Sequence, residues 1–116
     1  PHTPEDKAGG MAGISNIEYA FSIYLKVFAE HGIPLTRLAQ MLSFHPAKRL
    51  GIHAGLLQPG YPADLTALSI EEEGEIDADL MISRSHNTPF SGRAVQGRIL
   101  RTIVEGETRY EYEKAI

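Results

Sequence analysis

Residues 16–31 read NIEYAFSIYLKVFAEH, and apolar side chains recur in them at the spacing of an α-helix. Together these side chains form one broad stripe, made of Ile17, Ala20, Phe21, Tyr24, Leu25 and Phe28. The pattern predicts a helix over this range, with Ser15 or Asn16 as its N-cap. Glu18 is expected in the first turn, where a carboxylate faces the positive end of the helix dipole. Gly32 is expected just past the last turn, a position typical of glycine.

Two shorter helices are predicted downstream. One begins near Thr36 and has an apolar face made of Leu38, Ala39, Met41 and Leu42. The other covers residues 46–50, because Pro46 suits a first helical turn and Gly51 suits a helix end. Residues 43–45 should therefore form a joint between two helices.

The character of the chain changes after residue 51. Prolines and glycines punctuate a link up to residue 62. Residues 63–70 then alternate between apolar and polar positions with one slip of the period, which predicts a strand that contains a bulge. Residues 71–75 (EEEGE) are expected to form an acidic surface loop.

The last third of the chain has the pattern of a β-hairpin. Residues 98–104 are rich in β-branched side chains, and residues 108–112 alternate tyrosines with charged residues. Glu105, Gly106 and Glu107 lie between them as a tight turn. A helical half followed by a strand half predicts an α+β unit or two separate domains, with the boundary near residues 51–62.

Composition excludes several classes of protein. The 116 residues suit one compact unit and are too few for a complete (β/α)₈ barrel of roughly 250 residues. Eleven Lys and Arg against fifteen Asp and Glu give a net charge of −4 without a dense basic face, so nucleic acid is not an expected partner. The absence of cysteine excludes disulfides and thiolate metal sites and fits a cytoplasmic protein. Neither a signal peptide nor a membrane span is predicted.

Local motifs do not indicate a catalytic centre. The five histidines lack the H-x-H, H-x-x-x-H and H-E-x-x-H spacings of metal sites. Residues 9–13 (GGMAG) precede the first predicted helix and could receive an anion on their backbone N–H groups. An entry turn is favoured, because the stretch lacks the P-loop lysine and the full G-x-G-x-x-G pattern. From residues and spacing alone, the chain is an accessory α+β unit, and a catalytic part, if there is one, lies elsewhere. The start at Pro1, without methionine, is a further hint that an upstream part is missing.

Several segments taken together resemble the dihydroorotase family of amidohydrolases. Residues 1–7 (PHTPEDK) are similar to the end of that family's D-H-A-P-H-T-x-x-E-K stretch. Residues 55–65 (GLLQPGYPADL) are similar to the G-x-L-x-x-G-x-x-A-D-L run that many amidohydrolases share. Further matches follow the family order and are residues 46–51 (PAKRLG), 87–92 (NTPFSG), 97–98 and 102–106. The resemblance covers nearly the whole chain.

The resemblance implies an α/β fold: the C-terminal portion of a (β/α)₈ barrel followed by part of a small β-sandwich. Residues 1–51 would supply the last βα loop and the C-terminal helices of the barrel, and residues 52–116 the C-terminal part of the sandwich. The family's metal ligands and its catalytic aspartate would lie upstream of Pro1, so neither a metal ligand nor a catalytic residue is expected in this chain. The stripe of the first helix would pack on absent barrel parts, and the chain alone would associate through it.

The implied reaction is the reversible closure of N-carbamoyl-L-aspartate to L-dihydroorotate in de novo pyrimidine biosynthesis. Zinc would polarise the amide carbonyl and supply a hydroxide for ring opening, and the upstream aspartate would carry the proton. His2 matches the family histidine that holds the substrate carboxylate, and Ala12 and Gly13 match a pair that contacts substrate through the backbone. The chain by itself is expected to be inactive and to bind no zinc stoichiometrically.

The implied partners are the upstream barrel portion of the same polypeptide, a small-molecule substrate, a second copy in a homodimer, and aspartate transcarbamoylase. Two alternatives stay open. One is an allantoinase or a dihydropyrimidinase-like cyclic amidohydrolase, which shares the barrel and the sandwich. The other is a non-catalytic dihydroorotase-like subunit that supports aspartate transcarbamoylase. An H-x-H motif upstream of the chain would distinguish an enzyme from the non-catalytic subunit.

Overall fold

The computed structural model describes residues 13–113, in which helices precede a small antiparallel sheet. The elements in chain order are α1 (Ala20–Glu30), α2 (Leu35–Ala39), a π-helical segment (Gln40–Phe44), α3 (His45–Leu50), β1 (Leu65–Glu75), a 3₁₀ turn (Ala78–Leu80), β2 (Ala94–Val104) and β3 (Glu107–Glu111). The three strands form one sheet in the order β1-β2-β3. The described part of the chain is therefore a mixed α and β structure with a single small sheet.

Helix α1 begins four residues later than the stripe predicts. Its N-cap position is Tyr19, and no described side chain caps it, so the predicted N-caps Ser15 and Asn16 are wrong. The carbonyl of Asn16 instead accepts from the N–H of Tyr19 at 3.0 Å, which closes a turn ahead of the helix. Glu18 lies in that turn rather than in the first helical turn, because its carboxylate is bound to backbone far away in sequence. Tertiary hydrogen bonds have here overridden a local helix signal.

The other end of α1 is as predicted. Gly32 has φ 64°, and its N–H donates to the carbonyl of Ala29 at 3.1 Å. The N–H of Ile33 donates to the carbonyl of Phe28 at 2.8 Å. These two bonds are those of a Schellman motif, which glycine favours because its φ is positive.

Residues 35–50 form one continuous helical segment instead of two helices with a joint. The predicted joint lies within a π-helical turn, in which the N–H of His45 reaches back to the carbonyl of Gln40. Pro46 explains the wider turn, because proline lacks an N–H and its ring clashes with the carbonyl four residues earlier in a regular α-helix. Gly51, with φ 68°, ends the segment as predicted.

Strand β1 confirms the predicted bulge and corrects the predicted loop. Its pairing with β2 shifts register between Ala67 and Leu68, where the hydrophobic period slips. A second shift follows Ser69, whose Oγ accepts from the N–H groups of Glu71 and Glu72 at 3.3 and 3.2 Å. Residues 71–75 continue the strand rather than forming a loop, because Glu73 to Glu75 pair with β2. Acidic side chains are compatible with a strand whose outer side is exposed.

The hairpin between β2 and β3 closes as the sequence predicts, with Glu105 and Gly106 at the turn. Both have positive φ, 52° and 81°, which is the backbone of a type I′ turn. The turn is bound to the start of β1: the N–H of Gly106 donates to the carbonyl of Ala63 at 3.0 Å, and the N–H of Glu105 donates to Asp64 Oδ1 at 2.8 Å. The Ala-Asp-Leu run thus fastens a hairpin tip to the sheet.

Helix α1 packs on β2 at Gly97. Ser22 is buried in α1, and its Oγ donates to the carbonyl of Gly97 at 2.6 Å. A Cβ on Gly97 would lie 2.4 Å from Leu25 Cδ2, and the residue has φ 92°. The helix can approach the sheet closely only because this position has no side chain.

Much apolar surface is left uncovered in the described residues. The buried apolar side chains are Leu38, Ala47, Ile76 and Met81, whereas eighteen large hydrophobic residues are exposed. Ile17, the first residue of the predicted stripe, is 84% exposed. Phe21 and Leu25 of the same stripe lie against Gly97 of β2, so the expectation that the stripe packs on absent parts is wrong for these two residues. An open groove of about 1010 Å³ lies between α1 and the sheet, lined among others by Leu25, Leu35 and Val95. Exposed apolar patches of this kind mark surfaces that contact a partner or a ligand or that promote aggregation. Over residues 13–113, none of the helices combines the length and the apolar character needed to cross a membrane.

Candidate functional site

The candidate site residues lie at the beginning of the chain. His2 and Ala12 are outside the described residues, and Gly13 is the first described one. Gly13 is exposed and has φ 121°, a conformation that residues with a Cβ rarely adopt. The structure therefore gives a local geometry for one of the three candidates.

Gly13 is held by Asn87, which comes from the segment between the 3₁₀ turn and β2. The Asn87 Nδ2 group donates to the carbonyl of Gly13 at 3.1 Å. Two residues further on, the N–H of Ser15 donates to the backbone carbonyl of Asn87 at 2.8 Å. Asn87 itself is only 6% exposed, and its bond to the exposed Gly13 is partly buried. A partly buried bond holds a backbone more firmly than a bond on an open surface.

Glu18 makes a second connection between the same two segments. Its Oε2 accepts from the N–H of Ile82 at 3.1 Å, and its Oε1 accepts from the N–H of Ser83 at 2.8 Å. Charge-assisted bonds to two successive amides hold a carboxylate in one orientation. We call the set Gly13, Ser15, Glu18, Ile82, Ser83 and Asn87 the loop anchor, since it fastens residues 13–18 to residues 82–87.

The described histidines are distributed over the structure rather than gathered in one place. His31 Nδ1 lies 2.8 Å from the carbonyl of Val27 at the end of α1. His45 Nε2 lies 3.4 Å from Arg37 Nη1 on the continuous helix. His53 stacks on Tyr61 with ring centroids 3.9 Å apart. Within residues 13–113, no three His, Cys, Asp or Glu side chains come together in a group that could hold a metal ion. Zinc therefore has no fitting donor set among the described residues.

The loop anchor was not predicted from the sequence. Glu18 was expected in a helix, and Asn87 was named only within the segment 87–92 that resembles the family. Neither expectation connected them to the candidate loop. The chain separation of 74 residues between Gly13 and Asn87 leaves no periodic signal. Burial of Asn87 explains its tethering role, because buried polar side chains require partners. That burial is visible in the structure and has no signal in the sequence.

The chain matches the model of a known protein family over most of its length. The family model described as "Amidohydrolase family" matches residues 6–109. The chain belongs to the amidohydrolase family. This match confirms, at the level of the amidohydrolase family, the resemblance seen in the sequence motifs.

Curated relatives are similar over nearly the whole chain. A dihydroorotase of Clostridium botulinum is 37% identical over 96% of the chain. A dihydroorotase of Lactiplantibacillus plantarum is 40% identical over 97% of the chain, and one of Bacillus cereus is 39% identical over all of it. The chain spans 28% of the length of each of these relatives.

The structure of this amidohydrolase is also similar to a solved one. The L-hydantoinase (dihydropyrimidinase) from Arthrobacter aurescens superposes with a TM-score of 0.86 at 29% sequence identity. The superposition covers 97% of the chain and 27% of the hydantoinase chain. The arrangement of helices and sheet is therefore one that a cyclic amidohydrolase contains.

Proposed function

We propose that this chain is the C-terminal portion of a longer, zinc-dependent dihydroorotase. That enzyme would reversibly cyclise N-carbamoyl-L-aspartate to L-dihydroorotate in de novo pyrimidine biosynthesis, in the cytoplasm. The observation that carries the proposal is the identity of 37–40% to dihydroorotases over nearly the whole chain. The P-H-T and N-T-P-F segments, which resemble dihydroorotase motifs, support the same proposal.

In this proposal, residues 1–51 complete a barrel and residues 52–116 complete a small β-sandwich beside it. The end of helical structure at Leu50 and the start of β1 at Leu65 support a division in the intervening link. The exposed apolar side of α1 and the groove beside it would be covered by the rest of the polypeptide. In the proposal, a second sheet would pack on this sheet of three strands.

This chain would contribute to the substrate pocket and the remainder of the polypeptide would contribute the reacting groups. His2 would hold the substrate carboxylate with a charge-assisted hydrogen bond, and Ala12 and Gly13 would contact the substrate through their backbone. Barrel active sites are built from the βα loops, which suits residues that precede α1. The catalytic aspartate and the zinc ligands would come from upstream.

A second candidate is a cyclic amidohydrolase that opens hydantoin or dihydropyrimidine rings. The structural likeness to an L-hydantoinase favours it. Its sequence identity to this chain, 29%, is lower than that of the dihydroorotases, so we rank it second.

Assaying the full-length polypeptide on competing substrates tests the proposal. We expect turnover of L-dihydroorotate and of N-carbamoyl-L-aspartate, with weaker turnover of hydantoin, dihydrouracil and allantoin. A preference for hydantoin or dihydrouracil would establish the second candidate instead. Inactivity on every substrate in a zinc-loaded sample would leave a non-catalytic subunit, which a binding assay with aspartate transcarbamoylase would then examine.

His2 has a separate test in the same polypeptide. His2→Ala should raise KM by about tenfold with a smaller change in kcat, because a group that grips a non-reacting carboxylate binds substrate and transition state alike. Unchanged KM and kcat would remove His2 from the site. Equilibrium sedimentation of the unmodified polypeptide checks the proposed homodimer.

A further inference from the structure

The segment Asn87-Thr88-Pro89-Phe90 has no role in the proposed reaction itself, yet its first residue is one of the most buried polar residues described. The Nδ2 of Asn87 donates to the carbonyl of Gly13, 74 residues earlier in the chain. A buried asparagine that bonds to a distant backbone carbonyl holds that carbonyl in one direction.

The second bond makes the attachment rigid. The backbone carbonyl of Asn87 accepts from Ser15, so the residues on both sides of Ile14 are bound to the same partner. Two bonds to one residue fix the position and the orientation of the segment, whereas one bond would leave rotation about it. Gly13 meets this requirement with φ 121°, at which a side chain would be strained.

The Gly13 carbonyl is bound to Asn87, so in the proposed site the N–H of Gly13 would be the group that binds substrate. An N–H donor suits a carboxylate, and the proposed substrate carries carboxylates. Donors that need no rearrangement bind an anion at less cost in conformational entropy.

We infer that Asn87 is a positioning residue, which orients the backbone of Gly13 for binding the substrate. The inference rests on the proposed function, because the structure gives the attachment and the proposal gives the ligand. In this role Asn87 would act through Gly13 and would not itself bind the substrate. Glu18 reinforces the same pair of segments from the other end of the loop anchor.

Two variants of the full-length polypeptide test the inference. Asn87→Asp keeps the shape of the side chain but replaces the donating amide by a carboxylate, which repels the Gly13 carbonyl. Asn87→Ala removes the side chain altogether. For either variant we expect KM for L-dihydroorotate to rise by about tenfold while kcat changes by less than about threefold, the pattern of lost uniform binding.

Thr88→Val is the matched control. Thr88 lies in the same turn, and its Oγ1 accepts from the N–H of Phe90 at 3.3 Å. The substitution therefore disturbs the turn without removing the bond to Gly13. We expect its KM to stay within about twofold of the unmodified enzyme.

Hydrogen exchange of the Ser15 amide gives a readout that does not depend on turnover. Loss of the side-chain bond should loosen the segment and raise this exchange rate by about tenfold in Asn87→Asp and Asn87→Ala, but not in Thr88→Val. Unchanged Ser15 exchange, or unchanged KM in an active enzyme, would overturn the inference. A fall in kcat and in melting temperature that accompanies the rise in KM in both variants would also overturn it, since that pattern indicates general unfolding. If the unmodified polypeptide does not turn over L-dihydroorotate, the proposed function fails first, and the substrate role of Asn87 fails with it.

Discussion

Asp64 Oδ1 accepts a hydrogen bond from the backbone N–H of Glu105 at 2.8 Å, although 41 residues separate the two. The bond joins the residue directly before β1 to the tip of the hairpin between β2 and β3. In the sheet, β2 lies between β1 and β3. The bond therefore attaches the turn between β2 and β3 to the chain that leads into β1. The Ala-Asp-Leu run therefore has a structural role, which is to attach the hairpin turn to the sheet.

Replacing Asp64 should loosen the hairpin tip. In Asp64→Ala the Glu105 N–H loses its acceptor, and we expect its hydrogen exchange to accelerate by about tenfold, which corresponds to about 1.4 kcal/mol. Native-state exchange measures this directly. Asp79→Ala is the control, since Asp79 is an exposed acidic residue in the 3₁₀ turn. Equal exchange at Glu105 in both variants would show that the bond contributes nothing.

Glu105 itself offers a gain of stability. It has φ 52°, and of the residues described it alone has a positive φ without being glycine. Asparagine tolerates this conformation better than glutamate does, and the backbone bond to Asp64 is kept. We expect Glu105→Asn to stabilise the hairpin by about 0.5–1 kcal/mol, measured by slower exchange of its strand amides. Glu113→Asn makes the same change of charge outside the turn and should leave these rates unaltered.

Gly97 is required for the contact between α1 and the sheet. A Cβ there would lie 2.4 Å from Leu25 Cδ2 and 3.3 Å from the carbonyl of Ser69, at φ 92°. We expect Gly97→Ala to destabilise the protein by about 2–4 kcal/mol, the sum of overpacking and backbone strain. Gly92 has φ 79°, but a Cβ on it would meet no described atom within 4 Å, so Gly92→Ala isolates the strain alone. Urea denaturation of both variants should separate them by at least about 1 kcal/mol; equal losses would mean that Leu25 moves aside freely.

Patterns within one element predicted much of the fold. The Schellman end of α1 at Gly32, the bulge where the period slips at Ala67 and the turn at Glu105 and Gly106 were all readable, because each depends on neighbours in the chain. The start of α1 was not readable. Segment 13–18 is held by residues 82–87, and a bond across 74 residues competes with the local helix signal without leaving a trace in it.

The candidate site, like the fold, could be predicted only in part from the sequence. The motif resemblance named Gly13, but only coordinates show that Asn87 holds its carbonyl. The acidic run at residues 71–75 was misread for a related reason: charge predicts exposure, and an exposed strand of a sheet satisfies that as well as a loop does. Composition indicates which side chains meet water, whereas pairing with β2 depends on a segment far along the chain.

Ile17 distinguishes a covered surface from a free one. It is 84% exposed in this chain, and the proposal places it against the rest of a longer polypeptide. Ile17→Asp should therefore change the stability of the chain of residues 1–116 by less than about 0.5 kcal/mol and reduce its self-association and its binding of a hydrophobic dye. In the full-length polypeptide the same substitution would force an unpaired charge into an apolar contact and should cost about 3 kcal/mol or more. Ile17→Leu, which keeps the apolar contact, should be tolerated in both. Equal tolerance of aspartate in both would mean that the turn ahead of α1 faces solvent in the whole protein, contrary to the proposed barrel contact.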